Sequence, residues 1–202
     1  MNQKIIRISL HFLSWLPLAW LVYAAFSRQL GADPQEKLME ELGSWGLIFL
    51  LACLSMTPAR LLLKRVPWVA YRRLLGLYSA FYLSMHLAVY IILFLELEWS
   101  LVLSEVLKRP YITVGFSAYI LLIPLMLTST KASQKRLGKK WKRLHQLVYP
   151  VLLLGLLHFT WQSKSDLNEP LLYIGWGLVL LLARWFAERK KARAAALANT
   201  TI

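Results

Sequence analysis

The sequence predicts an all-α, polytopic membrane protein: a six-transmembrane-helix bundle with both termini cytoplasmic. Three observations lead there. The 202 residues are 58% hydrophobic and only 17% charged, with a mean hydropathy of +0.50; soluble domains run near 45–50% apolar and about 25% charged. Six stretches reach the ~20 mainly apolar residues that a hydrocarbon layer about 30 Å thick requires. The formal net charge of +14 is divided unevenly between alternate connections.

The first span, residues 8–26, follows Lys4 and Arg7 and contains Pro17. It is longer than the ~7–15-residue apolar stretch of a secretory signal and no small-x-small cleavage site follows, so it is expected to be retained. The second span, 44–63, contains Pro58, and the third is 74–95. The fourth, 112–128, contains Pro124; the fifth, 146–163, has Pro150 near its start; the sixth is 170–187. Membrane helices tolerate such prolines because neighbours satisfy the freed carbonyls. An Ala-rich tail, 192–199, is expected to be an interfacial helix. The connections are too short for a folded domain on either side, so residues 1–202 read as a single domain. No internal repeat, low-complexity tract or Gly-rich phosphate loop stands out.

The charges orient the bundle. One set of compartments holds Lys4 and Arg7; Arg60, Lys64, Arg65, Arg72 and Arg73; the seven cations between Lys131 and Arg143; and Arg184, Arg189, Lys190, Lys191 and Arg193. That makes 19 basic residues against one acid, Glu188. The opposite set holds 5 basic and 9 acidic residues. The net charge is therefore +18 on one face and −4 on the other. Basic loops stay in the cytoplasm, which places both termini there and assigns the cations to topology and lipid headgroups, with no nucleic-acid role. The single cysteine, Cys53, excludes intramolecular disulfides and Cys-ligated zinc or iron–sulfur sites.

Ionisable residues at membrane depth mark function by default. All four histidines, His11, His86, His145 and His158, fall in or at the edge of a span. His86 stands as far into the third span, counted from Leu74, as His158 stands into the fifth, counted from Gln146. Both spans run in the same direction, so both imidazoles stand ~18 Å from the inner edge. Two histidines at one height on parallel helices can bracket a planar metallocycle. A bare ion would need further ligands, whereas haem brings four equatorial nitrogens of its own. The alternative is that each histidine bonds a carbonyl between helices. The interval from His145 to His158 leaves the two ~140° apart on an ideal helix. His145 is therefore an inner-haem ligand with some bending, with shallow His11 as the other histidine near its level, or an interfacial partner for a propionate, quinone or flavin.

Several ordered motifs bear a family resemblance. They are His11 with Leu16-Pro17 and Trp20; Gly31-Ala32-Asp33-Pro34; Thr57-Pro58; Arg72-Arg73-Leu74-Leu75-Gly76-Leu77; and His86-Leu87. Further along come Arg109-Pro110-Tyr111; Leu127-Thr128-Ser129-Thr130; Leu137-Gly138-Lys139 to Trp141; Leu144-His145; and His158 with Trp161. Together they resemble the MsrQ (YedZ) family, the haem-binding membrane subunits of the bacterial periplasmic methionine sulfoxide reductase system, within the ferric reductase-like transmembrane group. The resemblance covers nearly the whole chain. It implies a bacterial inner-membrane protein with one or two b-type haems on histidines matching His86, His145 and His158, and a bound FMN. It also implies electron flow from the quinone pool to a periplasmic molybdopterin catalytic subunit that repairs oxidised envelope proteins. Where the oxidase branch of the group has an inner histidine on the third helix, this chain has Arg72 or Arg73.

On this reading His86 and His158 are axial ligands of an outer haem, and His145, with His11 as its candidate partner, belongs to a cytoplasmic-side redox site. Arg72, Arg73 and Arg60 are candidates for propionate or flavin phosphate contacts, because the guanidinium fork matches such anions; their other reading is orientation. The tail after residue 187 is expected to be too short for a flavin and nicotinamide domain, so the donor is expected to be a quinol or a separate flavin reductase. The acidic connections 31–43 and 96–111 are candidate docking surfaces. The alternatives are a self-contained ferric reductase or quinol-oxidising b-type cytochrome, and a haem-free transporter or assembly factor.

Overall fold

The computed structural model describes residues 3–62, 68–163 and 167–200. Leu63 at the end of the second expected span, and the charged residues Lys64, Arg65, Lys164 and Asp166, lie outside them. No strand occurs among the described residues. The helices are α1 (Gln3–Phe26), α2 (Pro34–Leu62), α3 (Arg72–Val89), α4 (Trp99–Lys108), α5 (Pro110–Leu127), α6 (Lys131–Leu137), α7 (Lys139–Leu144), α8 (Val148–Gln162) and α9 (Asn168–Thr200). Six stretches among the described residues are long and apolar enough to cross a membrane, at the expected places: 3–26, 34–60, 72–94, 110–127, 139–162 and 168–190.

Helices α2, α3, α5 and α8 form the centre, paired α2 with α3 and α5 with α8, while α9 packs on α2 and α8. One buried cluster joins Leu47, Leu50, Leu51 and Leu54 of α2 to Leu122 and Leu125 of α5 and to Val151, Leu152 and Leu156 of α8. A second joins Leu21 of α1, Phe49 of α2, and Leu75, Tyr78 and Tyr82 of α3. Polar bonds between helices add to the packing: buried Ser79 donates to the Gly46 carbonyl (2.8 Å), half-buried Ser84 pairs with Tyr119 (2.8 Å), and Trp176 donates to Ser55 at the surface (3.0 Å). Outward-facing Phe12, Trp20, Tyr23, Leu153, Leu172, Val179 and Leu182 are exposed, as expected where the solvent is hydrocarbon and helix association relies on packing and hydrogen bonds.

Two α3 tyrosine hydroxyls fasten α1: Tyr78 meets His11, and Tyr82 inserts into α1 itself. Near Pro17, which has no N–H to give, the fully buried Tyr82 phenol enters the α1 ladder. It accepts from the Leu18 N–H (3.1 Å) and donates to the Ser14 carbonyl (2.7 Å), bridging the two groups across the kink-prone turn at Pro17.

The connections contain more structure than expected. Helix α2 begins at Pro34, well before the expected start at Ser44, so most of the acidic stretch 31–43 is its first turns. Asp33 caps it, accepting from the Glu36 N–H (3.1 Å); Pro34 occupies the first helical position, and Lys37 pairs with Glu41 (2.9 Å). Charge had removed these turns from the apolar window. The 96–111 connection likewise contains α4. After α3 a π turn, Tyr90–Phe94, ends in Glu96 and Leu97 with positive φ (48° and 63°), a sharp reversal. The basic fourth connection folds as α6 and α7, broken at Gly138 with φ 51°. His145 begins a 3-10 turn, His145–Leu147, and so does not continue the α-helix that carries His158. The tail through Thr200 continues α9.

Candidate functional site

His86 on α3 and His158 on α8 come together in the interior of the bundle, with ring centroids 6.2 Å apart and ring planes at 77°. Each imidazole is tied to a main-chain carbonyl of the preceding paired helix. His86 Nδ1 lies 2.8 Å from the Met39 oxygen in α2. His158 Nδ1 lies 2.8 Å from the Tyr111 oxygen in the first turn of α5. A carbonyl only accepts, so Nδ1–H donates in both rings and each Nε2 keeps its lone pair. The two sequence readings of these histidines, ligand or interhelical glue, are thus compatible: Nδ1 bonds the neighbouring helix and Nε2 is left available. The Tyr111 ring also stacks beside His158, with centroids 6.4 Å apart at 24°.

The pair fits a single metal held from both sides. A ring separation of 6.2 Å suits a group placed between the two imidazoles that would take one nitrogen from each. Among the described residues no group of three or more His, Cys, Asp or Glu side chains converges. Such a donor set lacks ligands for a bare ion but suffices for haem, which needs two axial ligands. Tying the far ring nitrogen to a carbonyl is also how metal-binding histidines are fixed in tautomer and orientation.

The other expected site residues divide into two places. His145 Nε2 lies 3.1 Å from the Thr128 hydroxyl, and its ring stacks on Trp141 with centroids 4.0 Å apart. The Trp141 indole N–H donates to the Thr128 carbonyl (2.9 Å), closing a small cluster at the end of the bundle with the basic connections. Arg72 lies near His145 and Tyr149, while Arg73 and Arg60 are exposed. His11 lies elsewhere, with Nδ1 2.8 Å from the Tyr78 hydroxyl and the two rings edge to face.

The sequence profile described as "Ferric reductase like transmembrane component" matches residues 42–156, more than half of the chain and inclusive of His86 and His145. The protein-methionine-sulfoxide reductase heme-binding subunit MsrQ of Xanthomonas oryzae pv. oryzae (strain MAFF 311018) is 46% identical over 186 residues, covering 90% of this chain and 85% of that one. The MsrQ of Rhodospirillum rubrum is 43% identical over 192 residues, covering 94% and 92%. The MsrQ of Xanthomonas axonopodis pv. citri is 48% identical over 171 residues, covering 85% and 78%. The chain belongs to the MsrQ family. No solved structure matches it.

Several features of this MsrQ-family site escape sequence reading. The carbonyl partners Met39 and Tyr111 carry no side-chain signal. Two glycines abut the imidazoles: a Cβ on Gly43 would lie 3.0 Å from His86 Nδ1, and one on Gly115 2.8 Å from His158 Nδ1. Their signal was present as equal spacing, since Gly43 precedes His86 by the same interval as Gly115 precedes His158. At the opposite end from His145, Glu105 pairs with Arg109 (2.7 Å) and accepts from the Tyr90 hydroxyl (3.3 Å), while Arg109 donates to the Tyr111 hydroxyl (3.2 Å). This polar cluster reaches the histidine pair through Tyr111.

Proposed function

We propose that this chain is the haem-binding electron-transfer subunit of a methionine sulfoxide reductase system, set in a bacterial inner membrane with both termini cytoplasmic. The observation that carries the proposal is the His86–His158 pair, 6.2 Å apart, with each Nδ1 committed to a carbonyl and each Nε2 left to ligate. The name shared by the relatives, heme-binding subunit of protein-methionine-sulfoxide reductase, supports it. Haem b held there by His86 and His158 would supply a one-electron couple, suited to carrying electrons and not to substrate chemistry.

The residues divide the work by depth. His86 and His158 hold the outer haem, and the Met39 and Tyr111 carbonyls fix their rings. His145, braced by Thr128 and Trp141 and beside Arg72, serves the cytoplasmic-side redox site as ligand of a second haem or partner of the FMN. Arg72, Arg73 and Arg60 are the candidates for propionate or flavin phosphate. Quinol or a separate flavin reductase donates electrons, and a molybdopterin-containing catalytic subunit accepts them in the periplasm. The acidic outer end, including α4, is its docking face.

The test is reconstitution in quinol-loaded vesicles. Quinol-driven methionine sulfoxide reduction is expected only when this subunit and the catalytic subunit are both present, while the catalytic subunit alone keeps its activity with an artificial donor. Equal quinol-driven rates without this subunit would contradict the proposal. The match to a ferric reductase-like component supports a second reading, partner-independent reduction of ferric chelates, which the same vesicles would show with the catalytic subunit omitted.

A further inference from the structure

We propose that Gly43 and Gly115 are positioning residues that admit each axial imidazole to its helix carbonyl and thereby lower the redox potential of the site. The inference rests on reading His86 and His158 as haem ligands.

The same device is built twice. His86 bonds the Met39 carbonyl, His158 bonds the Tyr111 carbonyl, and the two sequence separations are identical. Each ring also abuts the glycine that follows its carbonyl partner by one helical turn. The two units, 39–86 and 111–158, are equal in length and comprise corresponding helix pairs, α2 with α3 and α5 with α8. Sequence reading sees no internal repeat because few residue identities recur; what recurs is the spacing of carbonyl, glycine and histidine.

Helix geometry explains the spacing. The carbonyl of residue i is normally bonded to the N–H of residue i+4. A third group reaches that carbonyl through its second lone pair, passing over residue i+4. For Met39 that residue is Gly43, and for Tyr111 it is Gly115. Any side chain there occupies the space of the imidazole. The fit is tighter at Gly115, where an added Cβ meets three His158 ring atoms at 2.8–3.0 Å, than at Gly43, where the nearest His86 atoms lie at 3.0 and 3.2 Å.

Donation from Nδ1–H to a carbonyl raises the basicity of the ligating Nε2. A more basic ligand favours the more positive, oxidised iron, so the bond lowers the potential and its loss raises it.

The experiment is a redox titration of the purified full-length chain by its visible bands, with haem content measured alongside. Gly115→Ala is expected to raise the potential so that the oxidised-to-reduced ratio at fixed potential falls several-fold to about tenfold, tenfold being 59 mV for a one-electron couple. Gly43→Ala should shift it the same way by less. Gly175→Ala is the control, since a Cβ there meets nothing within 4 Å, and its potential should match the unsubstituted protein. A Gly115→Ala protein that retains haem at unchanged potential would overturn this inference alone, whereas an unsubstituted protein with no haem overturns the ligand reading and this inference with it. Should Gly115→Ala fail to fold, pulsed EPR of the unsubstituted protein in H2O and D2O decides. Slowly exchanging Nδ1 protons on both axial imidazoles support the device, and their absence or rapid exchange refutes it.

Discussion

Replacing Tyr82 by Phe tests how the peripheral helix α1 is held. The phenol oxygen is fully buried and makes two main-chain bonds across the α1 ladder, from Leu18 N–H and to Ser14 C=O. Phe keeps the ring against Phe49 and Phe81 and removes only the bridge. Hydrogen bonds between membrane helices average ~0.6 kcal/mol and reach ~1.7, and an unsatisfied buried polar group costs ~1–3 kcal/mol. Two bonds are lost and two buried main-chain groups lose a partner, so the expected destabilisation is ~2 kcal/mol. Unfolding in mixed micelles by an SDS titration, followed by circular dichroism, measures it. Haem content should be unchanged, because Tyr82 lies one helical turn from His86 and its ring still packs. A stability change below about 0.5 kcal/mol, the range of an inconsequential surface substitution, would refute the account of α1 docking.

Other outcomes follow from the same geometry. If His86 and His158 hold one haem, the 77° between their rings would leave the iron orbitals facing the two imidazole π systems nearly degenerate, and the ferric protein should give a single large-g low-spin EPR feature; a well-resolved rhombic triplet would show parallel rings instead. His11→Ala should lose little haem, since His11 is engaged with Tyr78; pyridine haemochrome content well below the unsubstituted level would make His11 a ligand. Reporter fusions should place the 31–33 turn and α4 outside, and the 131–143 connection and the C-terminus inside; a C-terminal reporter active only in the periplasm would invert the assigned orientation.

The six spans were legible because burial in hydrocarbon needs little beyond length and apolarity. The meeting of His86 and His158 was legible for a related reason: the assumed span starts, 74 and 146, are separated by as much as the two histidines are, so an error common to both starts cancels. The charged first turns of α2 were not, because Lys37, Glu40 and Glu41 break the apolar window although the Asp33-Pro34 cap announces a helix. Nor was the departure of His145 from the α8 register, which depends on a 3-10 turn that ideal-helix arithmetic does not contain. The carbonyls of Met39 and Tyr111 act through the backbone, which side-chain chemistry cannot reveal. The glycines that expose them were readable only as a spacing, and spacing acquires meaning once the helix pairs are known.

The central claim is that His86 and His158 hold one haem between them, and haem content in single substitutions tests it most directly. The purified chain is expected to show a Soret band and a reduced-minus-oxidised α-band, and His86→Ala and His158→Ala are each expected to abolish most of the outer haem signal. Full haem retention in either variant, or no Soret band in the unsubstituted protein, would contradict the account.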